Sequence, residues 1–187
     1  MAQPQQQEHY TYADYLTWGS ENRYELIGGE VRAMSPAPSI IHQEIVLALA
    51  NQLFESLRDD PCRLLISPVD VRLNADAADD TVIQPDLVVV CDEDKIGADC
   101  VVGAPTLVVE VLSPSSARYD RLVKFNLYRD SGVPEYWIVD PESRTLQVNI
   151  WFNGGYLASI HDESETVEST SIPGCLVDLG SVFPSAK

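Results

Sequence analysis

A single α/β domain is the fold class that this sequence predicts, on three observations. Residues 82–90 and 107–112 are two near-continuous runs of Val, Ile and Leu, as expected of strands buried on both faces. Ile41, Ile45, Leu49, Leu53 and Leu57 recur at i+4 and mark the core stripe of a long helix. Strand and helix signals alternate along the 187 residues without a linker or an internal repeat, and that length supports one sizeable core.

In chain order, residues 1–9 read as a disordered lead and residues 10–187 as the domain. A short helix is expected over 11–18, capped by Thr11 or Asp14. Residues 24–34 form a hairpin around the Gly28-Gly29 turn. Pro36, Pro38 and Ser39 lead into the long helix, which Asp59-Asp60-Pro61 ends. A strand over 64–73 alternates in its second half, and an acidic small-residue loop covers 75–80. The two apolar strands follow, separated by a loop over 92–103. Ser113-Pro114-Ser115-Ser116 signals a helix start, and that helix reaches about Asp130, where Gly132 and Pro134 stop it. Residues 135–141 make a further strand. Segments 145–152 and 156–160 flank a turn at Asn153-Gly154-Gly155. Acidic, Ser/Thr-rich residues 162–171 precede a last short strand and helical turn within 172–183.

Twelve basic residues against 29 acidic give a net charge of −17, which argues against a broad polyphosphate-binding surface and leaves room for a local one. No apolar run is long enough to span a bilayer, and the polar N-terminus lacks the regions of a signal peptide. Cys62, Cys91, Cys100 and Cys175 show no metal-ligand spacing, so reduced thiols in a cytoplasmic protein are expected.

Each apolar strand carries one acid, Asp86 after Pro85 in the first and Glu110 in the second. A lone ionised carboxylate in such a setting costs several kcal/mol or becomes neutral, and two on neighbouring strands also repel. A hard divalent cation with oxygen ligands resolves both problems. The alternative places each acid at a strand end, in water. Phosphodiester hydrolysis at a metal also wants a cation to offset developing charge. The position two residues after Glu110 is Leu112, so that role passes to the next helix, where Asp120, Lys124 and Tyr128 form one stripe. A plain i,i+4 pair between Asp120 and Lys124 on a solvated face is the alternative. Arg118, Arg121, Lys124 and Arg129 concentrate four of the 12 basic residues here, a local reversal that suggests a phosphate-facing patch.

Pro85-Asp86, then Glu110-Val111-Leu112-Ser113-Pro114-Ser115, then Asp120, Lys124 and Tyr128, and finally the run from Gly132 to Pro141 together resemble the Uma-type family of restriction endonuclease-like proteins, within the PD-(D/E)XK nuclease superfamily. The segment from Tyr24 to Glu30 and the segment from Met34 to Pro38 with His42 resemble its N-terminal part, so the likeness spans residues 10–183. It implies a three-layer α/β fold with a mixed central sheet flanked by helices, plus hairpin additions. It implies a nuclease acting on DNA, with Asp86 and Glu110 as metal ligands, joined by the carbonyl of Val111, and Mg²⁺ or Mn²⁺ as the cofactor. Lys124 takes the lysine role, Glu25 and His42 crowd the same pocket, and Arg118 and Arg121 are candidate phosphate contacts. The strongly acidic charge keeps a second expectation open: a non-catalytic member of the fold that binds a protein partner or a phosphorylated ligand. Cutting both strands of a duplex needs two sites, and Trp137, Trp151 and Phe152 are candidate surface for a homodimer.

Overall fold

The structure, a computed structural model, describes residues 9–18, 23–34, 37–75 and 77–184. The expected disordered lead, except His9, lies outside these residues, as do Pro36 before the long helix and Asp76 in the acidic loop. The elements are α1 (Tyr12–Tyr15), β1 (Tyr24–Ile27), β2 (Glu30–Ala33), α2 (Ile40–Ser56), β3 (Arg63–Ile66), β4 (Asp70–Arg72), β5 (Val82–Ile83), β6 (Leu87–Val90), β7 (Cys100–Val102) and β8 (Leu107–Val111). There follow α3 (Ala117–Tyr119), a π-helical turn (Asp120–Lys124), α4 (Phe125–Asp130), β9 (Glu135–Asp140), β10 (Thr145–Phe152), β11 (Gly155–Asp162), β12 (Thr166–Glu168) and β13 (Leu176–Asp178).

A six-stranded mixed sheet in the order β11-β10-β9-β8-β6-β3 forms the centre. Its parallel pair, β8 and β9, is joined by the α3–α4 segment, because parallel neighbours need a crossover. The other pairs are antiparallel. One face packs on α2 and the small β12–β13 sheet through Leu49, Leu53, Val109, Trp137 and Val177. The opposite face meets α4 through Tyr128, and residues of a second sheet, ordered β2-β1-β5-β4-β7, through Val71, Ile83 and Val101. The expected hairpins are both present. Gly28 and Gly29 turn β1 into β2 with positive φ, as do Asn153 and Gly154 between β10 and β11.

Several expectations change. Prolines cut two expected strands. Residues 64–73 divide at Pro68 into β3, in the central sheet, and β4, in the second sheet. Residues 82–90 divide at Pro85 into β5 and β6, again in different sheets. Proline cannot donate to a ladder, so each marks where the chain changes sheet. Asp86 therefore stands at the mouth of β6 and not inside a strand. Loop 92–103 contributes β7, and the acidic 162–171 segment contributes β12. The helix signalled at Ser113 begins only at Ala117.

On α2, Ile41 is 52% exposed while His42 is buried with Ile45, Leu49 and Leu53. Steps of four residues drift about 40° each around a helix, so five such positions cannot stay on one face. Trp137, a candidate for surface, is fully buried, whereas Trp151 and Phe152 are exposed. Cys62 and Cys91 are joined as a disulfide, against the expectation of free thiols; Cys100 and Cys175 are free. The pair sits one residue beyond the Arg63–Val90 register pair of β3 and β6, directly opposite across two antiparallel strands. Among the described residues, no helix is long and apolar enough to cross a membrane.

Candidate active site

The last register pair of β6 and β8 is Leu87 with Val109, and one step further brings Asp86 to the level of Glu110. Asp86 is anchored by its Oδ2, which accepts the Val111 backbone N–H at 2.8 Å. The same oxygen lies 3.2 Å from Nε2 of His42, delivered by the first turn of α2. Ser39 caps that turn, accepting the His42 N–H. Glu110 is 4% exposed, and its Oε1 accepts Lys124 Nζ at 2.7 Å and the Tyr128 hydroxyl at 2.8 Å.

Lys124 is as deeply buried as Glu110, so the solvated-face alternative is excluded. Its Nζ also lies 3.0 Å from Glu25 and 3.9 Å from Asp120. The π-helical turn carries both Asp120 and Lys124 inward, the kind of local distortion that often marks functional positions. Glu25 comes from β1, in the second sheet, and is held on both oxygens. Oε1 accepts the Gln84 N–H at 3.2 Å, and Oε2 accepts the Tyr119 hydroxyl at 3.1 Å.

Three carboxylates thus gather around one ammonium, and Asp86 lies near enough to Glu110 and Asp120 to add its charge. Burial raises the pKa of Glu110 well above the usual carboxylate value; Lys124 opposes that rise, while Asp120, Asp86 and Glu25 add to it. Asp120 is raised for the same reasons, with Lys124 and Ser116 opposing. For Lys124, burial works against the charge, and Glu110, Glu25 and Asp120 overcome it, so its pKa is raised well above the ordinary value. His42 follows the same pattern: burial lowers its pKa, and the contact with Asp86 raises it to a net increase. Every one of these shifts favours keeping a proton. The cluster holds more negative charge than Lys124 offsets.

Such a surplus suits a divalent cation, and one further observation fits one. Asp86 Oδ1 and Glu110 Oε2 stand outside the contacts that hold their sister oxygens. The acids do not close into a cage. Among the described residues the one group of three donors within 4.8 Å of one another is Asp60, Cys62 and Cys91, whose cysteines are spent in the disulfide. Two carboxylates with room for water and phosphate is the arrangement that Mg²⁺ favours.

Of the residues singled out in the sequence, Glu25, His42, Asp86, Glu110, Val111 and Lys124 come together. The two arginines do not join them. Arg121 is paired with Asp140 at 2.7 Å, and Arg118 is exposed on α3. Tyr119 and Gln84, which fasten Glu25, escaped sequence reasoning. The only signal for Tyr119 was its place between the two arginines.

Comparison with known proteins bears on the family and the fold. The Uma2 family, described as "Putative restriction endonuclease", matches residues 12–179. Two uncharacterized proteins of Synechocystis are similar: slr1290 is 28% identical over 165 residues, covering 85% of this chain and 84% of its own length. The other, sll1609, is 30% identical over 135 residues, covering 70% and 74%. A crystal structure from Anabaena variabilis, described as "a putative nuclease belonging to DUF820", superposes with a TM-score of 0.72 at 16% identity, covering 93% of this chain and 97% of the other.

Proposed function

This chain belongs to the Uma2 family of restriction endonuclease-like proteins, and from that premise we propose that it is a divalent-metal-dependent nuclease that hydrolyses phosphodiester bonds in DNA. The observation that carries the proposal is the surplus of buried carboxylates around Lys124, with Asp86 and Glu110 level on neighbouring strands. Asp86 and Glu110, with the Val111 carbonyl, would hold Mg²⁺ or Mn²⁺. Bound there, the ion would lower the pKa of a water and polarise the phosphoryl group. Glu25 and Asp120 keep Lys124 charged in a buried site, where an ammonium can balance charge that develops on the phosphate. His42 fixes Asp86 from the α2 side. Tyr128 and Tyr119 hold Glu110 and Glu25 in place through their hydroxyls.

The net charge of −17 favours a second reading, a non-catalytic member of the fold that binds a protein partner or a phosphorylated ligand. Cytoplasmic location and a homodimer that presents two sites to a duplex complete the first reading. Incubation of the protein with supercoiled and linear DNA, with and without Mg²⁺ or Mn²⁺, decides between them. The nuclease reading expects cleavage that requires the metal and disappears in Asp86→Ala. A folded parent protein that binds metal yet cuts neither substrate would favour the second.

A further inference from the structure

Nine arginines lie among the described residues, and six of them pair with a carboxylate: Arg58, Arg63, Arg72, Arg121, Arg129 and Arg144. The remaining three, Arg23, Arg32 and Arg118, have no carboxylate partner among those residues. All three stand on the segments that build the candidate active site. Arg32 is the direct cross-strand partner of Glu25, so the two side chains leave the same face of the hairpin. Its guanidinium does not turn to that acid. It lies over the ring of Tyr119, 4.5 Å from the centroid, while the Tyr119 hydroxyl is bonded to Glu25.

Arg23 directly precedes β1. It donates through Nε to Gln84 Oε1 and through a terminal nitrogen to Ser67 Oγ, both at 2.7 Å. Gln84 in turn donates its backbone N–H to Glu25. Arg118 is exposed one residue before Tyr119 and two before Asp120. In a chain with 29 acids, an exposed arginine without one is the exception, and here each exception is either two residues before Glu25 or Asp120 or the cross-strand partner of Glu25. An arginine stacked on an aromatic ring keeps its in-plane N–H fork free, and that fork matches a phosphate bidentately.

We propose that Arg23, Arg32 and Arg118 form a cationic rim that receives the phosphate backbone of DNA on either side of the bond presented to Glu110 and Asp86. The rim rests on the nuclease reading above and extends it. It explains how so acidic a chain meets a polyanion: contact is confined to one ring of unpaired arginines. Arg121, satisfied by Asp140, takes no part in it.

Salt dependence of binding tests the rim. Anisotropy of a fluorescein-labelled random-sequence DNA duplex, read with Ca²⁺ across a salt series, gives the slope of log K against log salt. Each of Arg23→Ala, Arg32→Ala and Arg118→Ala should reduce that slope by about 0.9, the value for one lost phosphate contact on duplex DNA. The paired-arginine controls Arg58→Ala and Arg63→Ala should leave it unchanged. Where Arg32→Ala lowers the melting temperature, Arg32→Gln keeps a planar group over Tyr119 without the charge and carries the test. Equal slopes in rim and control variants, with metal-dependent cleavage intact in the parent, would overturn the rim and leave the nuclease reading standing. A parent that neither binds nor cuts the duplex would overturn both.

Discussion

Glu110 and Glu135 sit on opposite faces of the central sheet and are withdrawn from water to nearly the same degree, 4% and 0% exposed. Glu135 pairs with Leu107 and shares the face covered by α2; Glu110 pairs with Ile138 and faces α4. Their surroundings differ completely. Glu135 accepts from Trp137 Nε1 at 2.7 Å, and from the Ser169 hydroxyl and the Ser171 N–H, each at 2.8 Å. Three neutral donors satisfy that carboxylate. Glu110 has a lysine and a tyrosine, shares the lysine with Glu25 and Asp120, and feels the charge of Asp86 as well. Burial of an acid therefore does not by itself mark a metal site. What sets Glu110 apart is unbalanced charge among several acids.

The contrast can be broken at the level of packing first. Leu49→Ala, on the α2 face, should cost about 2–5 kcal/mol in chemical denaturation, because Leu49 is fully buried against the sheet. A loss below about 0.5 kcal/mol would mean that this face is not the stabilising one.

A smaller effect separates the two glutamates. Glu135→Gln places an amide N–H₂ where an acceptor is needed and should cost about 1–3 kcal/mol, read as a lowered melting temperature. Glu110→Gln, measured without metal, should cost nothing or raise the melting temperature, since it removes one of four competing charges. The sign of the pH dependence follows. The pKa of Glu110 is raised in the folded state, so between the ordinary carboxylate value and that raised value the folded protein binds the extra proton. Metal-free stability therefore falls as pH rises through that window, and Glu110→Gln should flatten the fall. Equal destabilisation by both substitutions would erase the distinction.

How much of this was legible in the sequence depends on the range of the interaction. Glu110 was readable because one acid in an unbroken apolar run is a local signal, and the structure places it inside β8. Lys124 was readable by its stripe with Asp120 and Tyr128. Asp86 was found, but its setting was not: Pro85 divides the run, and which sheet each half joins depends on the rest of the fold. Glu135 carries the same local signal as Glu110 without marking a site, because two of its three donors, Ser169 and Ser171, lie more than thirty residues away in a segment without pattern. The pairing of Arg121 with Asp140 and the stacking of Arg32 on Tyr119 are likewise meetings of distant segments.

Metal-induced thermal stabilisation tests the central claim most directly, that Asp86 and Glu110 jointly form a cation site. Mn²⁺ titrated into the protein should raise the melting temperature progressively, by about 2.7 kcal/mol of added stability at a hundredfold excess over the dissociation constant. Asp86→Asn and Glu110→Gln should each abolish the rise, whereas Glu135→Gln should keep it from a lower starting point. Equal Mn²⁺-induced shifts in the parent protein and in Asp86→Asn would contradict the shared site.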